Sequence, residues 1–250
     1  MTVPTVLTPD WPAPAQVRAA STERRGGASA GPYASANLAT RVGDDPAAVA
    51  ANRRALREAL GLTSEPRWLE QVHGGSVVDL DTPGAMSTGP PPADGAVTSR
   101  PGLACVVMTA DCLPVLLCDA AGTRVGIAHA GWRGLAGGVL PEAVARMGIH
   151  PAGLLAWLGP AIGQDAYEVG EEVRQALLAS NPGAGACFEP NAAGRWQADL
   201  YGLARRALER CGVQRVYGGG SCTYTQSERF YSHRREAPCG RMATLIWLEA

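Results

Sequence analysis

The chain has 250 residues, 46% of them hydrophobic and 18% charged, with a formal net charge of −1, which excludes a disordered chain or a protein that coats nucleic acid. All 22 basic residues are Arg, so a Walker-type phosphate loop, a pyridoxal Schiff base and a lysine nucleophile are excluded. Seven cysteines without a Cys-x-x-Cys pair read as reduced thiols; with no apolar run of membrane-spanning length and no charged-then-apolar leader, the expected address is the cytoplasm.

Residues 1–16 carry four prolines and read as an extended lead-in with an edge strand near 3–7. Residues 29–38 form a glycine- and serine-containing loop. Asp44 and Asp45 then offer cap oxygens and Pro46 suits a first helical turn. With Val49, Arg53, Leu56 and Leu60 recurring up to Gly61, a helix is predicted over 46–60. Strand-like runs follow at 67–72 and 76–80, joined by Gly74-Gly75 as a hairpin turn, with His73 at a strand end. The Pro- and Gly-dense segment 81–93 reads as a surface loop. Unalternating apolar runs at 103–108, 114–118 and 124–128 predict strands buried on both faces.

The second half predicts a helix over 135–147, a strand over 154–158 and a helix over 169–180. Asp199 opens an amphipathic helix whose apolar positions Leu200, Leu203, Ala204, Ala207, Leu208 and Cys211 keep the helical period until Gly212. Strands over 213–217 and 242–248 close the chain. Helices and strands interspersed without a strict βαβ rhythm predict an α+β (mixed α/β) domain with mixed sheets.

Polar and thiol groups interrupt the apolar runs at Gln71-Val72-His73-Gly74, at Thr109-Ala110-Asp111-Cys112 and at His129-Ala130-Gly131-Trp132-Arg133-Gly134. Each lies past the end of a predicted strand, where loops converge on a cleft. Two imidazoles and a thiol, His73, Cys112 and His129, suit a catalytic zinc with an open fourth position. The same three residues allow a Cys112 nucleophile, with His129 or His73 as general base and a following N–H as oxyanion donor. A buried, inert thiol beside hydrogen-bonded histidines is the third possibility. Copper fits less well than zinc: four histidines without a His-x-His pair cannot supply a multicopper oxidase. His150 and His233 are left outside the metal set. Asp94 and Asp111 are available to orient an imidazole or take a proton. Arg133, Arg234, Arg235 and Arg241 offer planar forks for phosphate or carboxylate.

These three segments occur in order with Gly26-Gly27 through Asn37-Leu38, Gly43-Asp44-Asp45-Pro46 with Asn52-Arg53, and Ala93-Asp94-Gly95. Further on come Gly159-Pro160-Ala161-Ile162-Gly163, Tyr167-Glu168-Val169-Gly170, Cys222-Thr223-Tyr224, and Arg234-Arg235 through Gly240-Arg241. Together they resemble the YfiH-like family, called polyphenol oxidoreductase or laccase-domain proteins and later assigned purine nucleoside phosphorylase activity. The resemblance covers nearly the whole chain. It implies a single domain, a layered sandwich of mixed β-sheets flanked by helices, spanning 1–250. It implies zinc at His73, Cys112 and His129, and phosphorolysis of adenosine, inosine, guanosine and methylthioadenosine to base and pentose 1-phosphate, with adenosine deamination besides. Asn37, Gln71, Arg133, Arg234 and Arg235 are expected on the substrate and phosphate side, and Cys112, His73, His129, Asp111 and Asp94 at the chemistry. Another strand of the family's properties implies a cysteine-dependent hydrolase that edits peptidoglycan precursors. The expected partners are purine nucleosides and phosphate, with no nucleic acid or membrane, and the expected state is a monomer.

Overall fold

The computed structural model describes residues 3–85 and 89–250. In chain order come β1 (Val6–Leu7), β2 (Val17–Thr22), α1 (Pro46–Ala59), β3 (Val77–Asp79) and β4 (Gly95–Thr98). The centre holds β5 (Cys105–Thr109), β6 (Leu113–Asp119), β7 (Val125–Ala130), α2 (Trp132–Ala136), α3 (Val139–Met147) and β8 (Leu154–Leu158). The last part adds β9 (Glu168–Val169), α4 (Glu171–Ser180), β10 (Phe188–Pro190), β11 (Trp196–Ala198), α5 (Leu200–Arg210), β12 (Arg215–Gly218) and β13 (Met242–Leu248).

Among the described residues the strands form an antiparallel sheet in the order β1-β2-β13-β5, a mixed sheet in the order β12-β8-β6-β7-β4-β3, and a small antiparallel sheet β10-β11-β9. The mixed sheet is parallel only at its two outer pairs. Side chains alternate across each strand, and that alternation builds the layers. Leu113, Val115 and Leu117 of β6 face Leu140, Ala143 and Met147 of α3 and Leu203 and Leu208 of α5. Leu116 and Cys118 face the opposite way, onto Cys105, Val107, Ile246 and Leu248 of the antiparallel sheet. The other face of that sheet, Ala243, Leu245 and Trp247, packs on Leu56 of α1. The order of layers is therefore helix, antiparallel sheet, mixed sheet, helices. Both central sheets are buried on two faces, which is why their strands read as unbroken apolar runs.

Local signals place the outer elements. Asp45 caps α1 by accepting the Ala47 N–H at 2.9 Å, with Pro46 in the first turn. In α5 the Asp199 side chain makes no cap bond; the helix is held by its buried stripe of Leu200, Leu203, Ala204 and Leu208. Among the described residues no helix is long and apolar enough to cross a membrane.

Four expectations change. The helix over 135–147 is two helices, α2 and α3, broken where Gly138 takes φ +79°. The helix over 169–180 starts at Glu171, because Glu168–Val169 is drawn into the small sheet as β9. No strand forms over 67–72, where the only pairings are the isolated bridges Arg67↔Cys105 and Glu70↔Pro92. The Gln71 side-chain amide takes over the ladder there, accepting the Met108 N–H at 2.8 Å and donating to the Met108 carbonyl at 2.9 Å. Gly74-Gly75 makes no hairpin, since β3 pairs parallel with β4. A Cβ on Gly75 would lie 2.2 Å from the Gly137 carbonyl oxygen, so the pair serves a close backbone approach to α2. The segment 81–93 carries no helix or strand in its described part, 86–88 lying outside the described residues.

Candidate active site

Residues 110–112 carry the chain from the antiparallel sheet (Thr109, end of β5) to the mixed sheet (Leu113, start of β6), so they cross at one end of the core between the sheets. Val125 and Ile127 of β7 belong to that core. His129 follows on the same face, opposite Pro114 of β6, and its backbone N–H donates to the Asp94 carbonyl at 2.7 Å. Strand alternation and sheet register thus bring His129, Cys112 and Asp94 to one place.

Two non-glycine residues with left-handed backbones, His73 (φ +58°) and Asp111 (φ +89°), flank this place. Such conformations are sparsely populated and persist where the surroundings hold them. The Asp111 carboxylate is occupied: it accepts the Thr223 hydroxyl at 2.6 Å and the Arg234 N–H at 2.7 Å, and the Asp111 carbonyl accepts the Ile162 N–H at 2.9 Å. Asp111 therefore clamps three loops and presents its neighbour Cys112, which is half-buried. Asp94, fully buried, holds His73 in turn, accepting the His73 N–H at 2.9 Å and the Gly74 N–H at 2.6 Å. Of the two carboxylates expected to serve the imidazoles, Asp94 does so and Asp111 does not.

The Asp94 Oδ1 atom also lies 3.3 Å from His129 Nδ1. Burial opposes the Asp94 carboxylate, but the hydrogen bonds from His129, Gly74 and His73 outweigh it and hold its pKa below the ordinary value. His129 is buried as well, which disfavours the imidazolium. The adjacent Cys112 sulfur and Asp94 overcome this and push its pKa up to about 9. The His73 ring meets that of His129 edge-on, with centroids 4.9 Å apart and planes at 85°. Desolvation and the charge of His129, with Arg133 and Arg241 behind it, lower the His73 pKa against the pull of Asp94. One imidazole is biased toward its charged form and its neighbour toward neutrality, the divergence typical of acid–base sites.

His73, Cys112 and His129 therefore meet, as expected from the sequence. Two nitrogens and a sulfur suit zinc, and Asp94 stands behind His129 as an outer partner. As the side chains stand, no group of three or more His, Cys, Asp or Glu among the described residues is arranged to hold a metal ion. Cys112 stands beside His129, close enough for its sulfur to favour the imidazolium.

A cavity of about 540 Å³ opens in front of the three residues, and its wall includes Gln71, Trp68, Arg53, Arg41, Arg241 and His233. Gln71 spends its amide on Met108. Arg133, Arg234 and Arg235, expected on the phosphate side, are not in the wall. Arg133 lies over the Trp132 ring at 4.3 Å, and Arg234 over Tyr167 at 5.5 Å with a hydrogen bond of 2.9 Å to the Glu168 carbonyl. Arg235 is consumed by the carbonyls of Thr223, Tyr224 and Phe230 and by the Glu236 carboxylate. Asn37 is fully buried and binds backbone groups of Ala39 and Arg241 and the Asp44 carboxylate, so its role is to shape the wall. Two residues missed as site candidates are His233 and Arg53. The signal for Arg53 was present: a charged residue falling in the apolar stripe of α1.

Gly131 closes the back of the site: a Cβ there would lie 2.8 Å from the Cys112 sulfur. Its φ of −70° suits any residue, so Gly131→Ala is expected to fold normally yet push the thiol off His129. A fall in kcat of about 10- to 100-fold with an unchanged Tm is the expected result; an unchanged kcat would show that the Cys112 position is immaterial.

Residues 18–249 match the family described as multi-copper polyphenol oxidoreductase laccase. The chain is 52% identical over 244 residues to a purine nucleoside phosphorylase of Pseudomonas aeruginosa, covering 97% of this chain and 98% of that one. It is 49% identical over 247 residues to purine nucleoside phosphorylase YfiH of Escherichia coli, with 97% and 98% covered. Among solved structures, a Neisseria meningitidis protein superposes with a TM-score of 0.93 at 50% identity, covering 98% of this chain and 99% of that one. YlmD from Geobacillus stearothermophilus superposes with a TM-score of 0.90 at 31% identity over the whole of both chains.

Proposed function

Because the chain belongs to the YfiH-like, laccase-domain family, we propose that it is a purine nucleoside phosphorylase that also deaminates adenosine, with its chemistry at His73, Cys112 and His129. The observation that carries this is the convergence of those three residues in the wall of a cavity of about 540 Å³, a volume suited to a nucleoside. Four histidines in the whole chain remain too few for the multicopper chemistry in the family's description.

In phosphorolysis a phosphate oxygen bonds to the anomeric carbon as the carbon–nitrogen bond to the base breaks, and the departing base takes a proton. Zinc held by His73, Cys112 and His129 would supply Lewis-acid polarisation and an acidified water for deamination. Asp94 fixes the His129 ring through Nδ1, which leaves Nε2 as the nitrogen for the cavity side. Both carboxylates are committed to internal hydrogen bonds. With His73, Cys112 and His129 engaged, His233 is the remaining titratable imidazole in the wall, and it is the group to protonate the leaving base.

A second reading is favoured by one specific arrangement, the line Asp94–His129–Cys112. It is the order of a cysteine hydrolase: the Cys112 sulfur attacks an acyl carbon, His129 takes the thiol proton and returns it to the leaving amine, and Asp94 steadies the imidazolium. A peptidoglycan-precursor amide would then be the substrate class. The deciding experiment incubates the purified chain with adenosine, with and without phosphate, and separates the products by chromatography. Adenine and pentose 1-phosphate appearing only with phosphate supports phosphorolysis, and inosine supports deamination. Adenosine recovered intact under both conditions overturns the first reading.

A further inference from the structure

Arg53 of α1 and Arg241, just before β13, come from distant parts of the chain and both line the cavity wall. One loop ties them together. Arg53 Nε donates to the Leu38 carbonyl at 2.8 Å, and the Leu38 N–H donates to the Arg241 carbonyl at 3.2 Å. Asn37 locks the loop from beneath, its side-chain oxygen accepting the N–H groups of Arg241 at 2.9 Å and Ala39 at 3.0 Å.

The remaining contacts of the two guanidinium groups are neutral. Arg53 lies 3.6 Å above the Trp68 ring, and its Nη2 faces the Met108 sulfur at 3.8 Å. Arg241 donates to the carbonyls of Cys239 at 2.8 Å and Gly240 at 3.0 Å, with the Cys239 sulfur at 3.4 Å. Arg41, in the same wall, is neutralised by Glu70. Neither Arg53 nor Arg241 has a carboxylate within ion-pair distance among the described residues. Glu65 is the carboxylate that acts on Arg53 at longer range, and it is bonded to Trp68 Nε1 at 2.7 Å. Burial alone is enough to pull the Arg53 pKa down to about 10. A cation drawn out of water without a paired counter-ion, as Arg53 is, is electrostatically incomplete, and an anion entering the cavity completes it.

We propose that Arg53 and Arg241 form the phosphate subsite of this cavity, with Asn37 and Trp68 positioning them. Two planar forks lining one cavity suit a tetrahedral oxyanion, whose oxygens can accept from both. The identification of that anion as free phosphate, the co-substrate, rests on the phosphorylase reading. A nucleoside monophosphate would present the same chemistry.

The test uses the full chain with Arg53→Met, Arg241→Met and Arg133→Met, and measures Tm against inorganic phosphate at constant ionic strength. Phosphate is expected to raise the wild-type Tm to saturation. Each of the first two variants is expected to weaken the apparent affinity roughly 10- to 100-fold, while Arg133→Met responds as wild type. In adenosine cleavage, the KM for phosphate should rise by the same factor with the KM for adenosine unchanged. Arg53→Lys and Arg241→Lys, which keep the charge and lose the fork, give the same readouts at smaller amplitude if the Met variants do not fold. Variants that respond to phosphate as wild type does, or equal KM rises for both substrates, overturn the subsite. Phosphorolysis with an unchanged phosphate KM in the variants leaves the phosphorylase reading standing and removes only the subsite. An Arg-dependent phosphate response without any phosphorolysis removes the phosphorylase reading and supports the subsite. A Tm response to adenosine 5′-monophosphate with none to inorganic phosphate overturns the assignment to free phosphate.

Discussion

Cys112→Ala is expected to abolish turnover, a fall of roughly a thousandfold or more, with little loss of stability because the thiol is half-buried at the cavity wall. Loss of activity alone does not say what the sulfur does, since a zinc ligand and a nucleophile both vanish with it. Metal removal separates the two. If Cys112 ligates zinc, a chelator abolishes activity, added zinc restores it, and iodoacetamide labels Cys112 faster after chelation because metal shields the sulfur. If Cys112 is a nucleophile, the chelator leaves activity intact, and mass spectrometry of quenched reactions finds substrate-derived mass on this residue. We expect the first pattern, since both imidazoles of the zinc set stand beside the thiol. A chelator-resistant enzyme with a covalent adduct on Cys112 would refute it.

Asp94→Ala has the second largest expected effect, and it reaches activity and stability together. The carboxylate accepts the backbone N–H groups of His73 and Gly74 and faces His129 Nδ1. Removing it strands two backbone donors and frees the imidazole. A fully buried donor left without a partner costs about 1 to 3 kcal/mol; these two are part-buried, so water offsets some of the loss and urea unfolding should show a fall of roughly 2 to 4 kcal/mol. Asp94→Asn keeps the shape and one acceptor oxygen but turns an amide group toward an N–H it cannot satisfy. Its stability loss should be smaller, while turnover still falls by about a hundredfold or more because His129 is no longer held in one tautomer. Zinc affinity, measured by competition with a chromogenic chelator, should weaken about 10- to 100-fold in Asp94→Asn. Wild-type turnover in Asp94→Asn would show that Asp94 serves only the loop at His73.

The residues predict well wherever a signal is local. The Asp45-Pro46 start of α1, the amphipathic stripe of α5 and the apolar runs that became β6, β8 and β13 each carry their cause within a few residues. His73, Cys112 and His129 were legible for the same reason, as polar groups that interrupt buried strands. What the chain does not carry locally is which groups meet across it. Asp94 and Asp111 look alike in sequence, yet sheet register sets Asp94 opposite His129, while Thr223 and Arg234, more than a hundred residues away, occupy Asp111. Arg133, Arg234 and Arg235 lie within or near recognisable motifs but outside the cavity wall; Arg53 and Arg241 enter it because the Leu38 loop draws α1 toward β13. The Gly74-Gly75 pair reads as a turn until α2 arrives against it, and the strand expected at 67–72 yields to a side-chain amide that pairs with β5 in its place. Capping, periodicity and apolar content act over one or two turns of chain and are written in neighbouring residues. Charge pairing and backbone approach depend on distances that exist only after the two sheets have stacked.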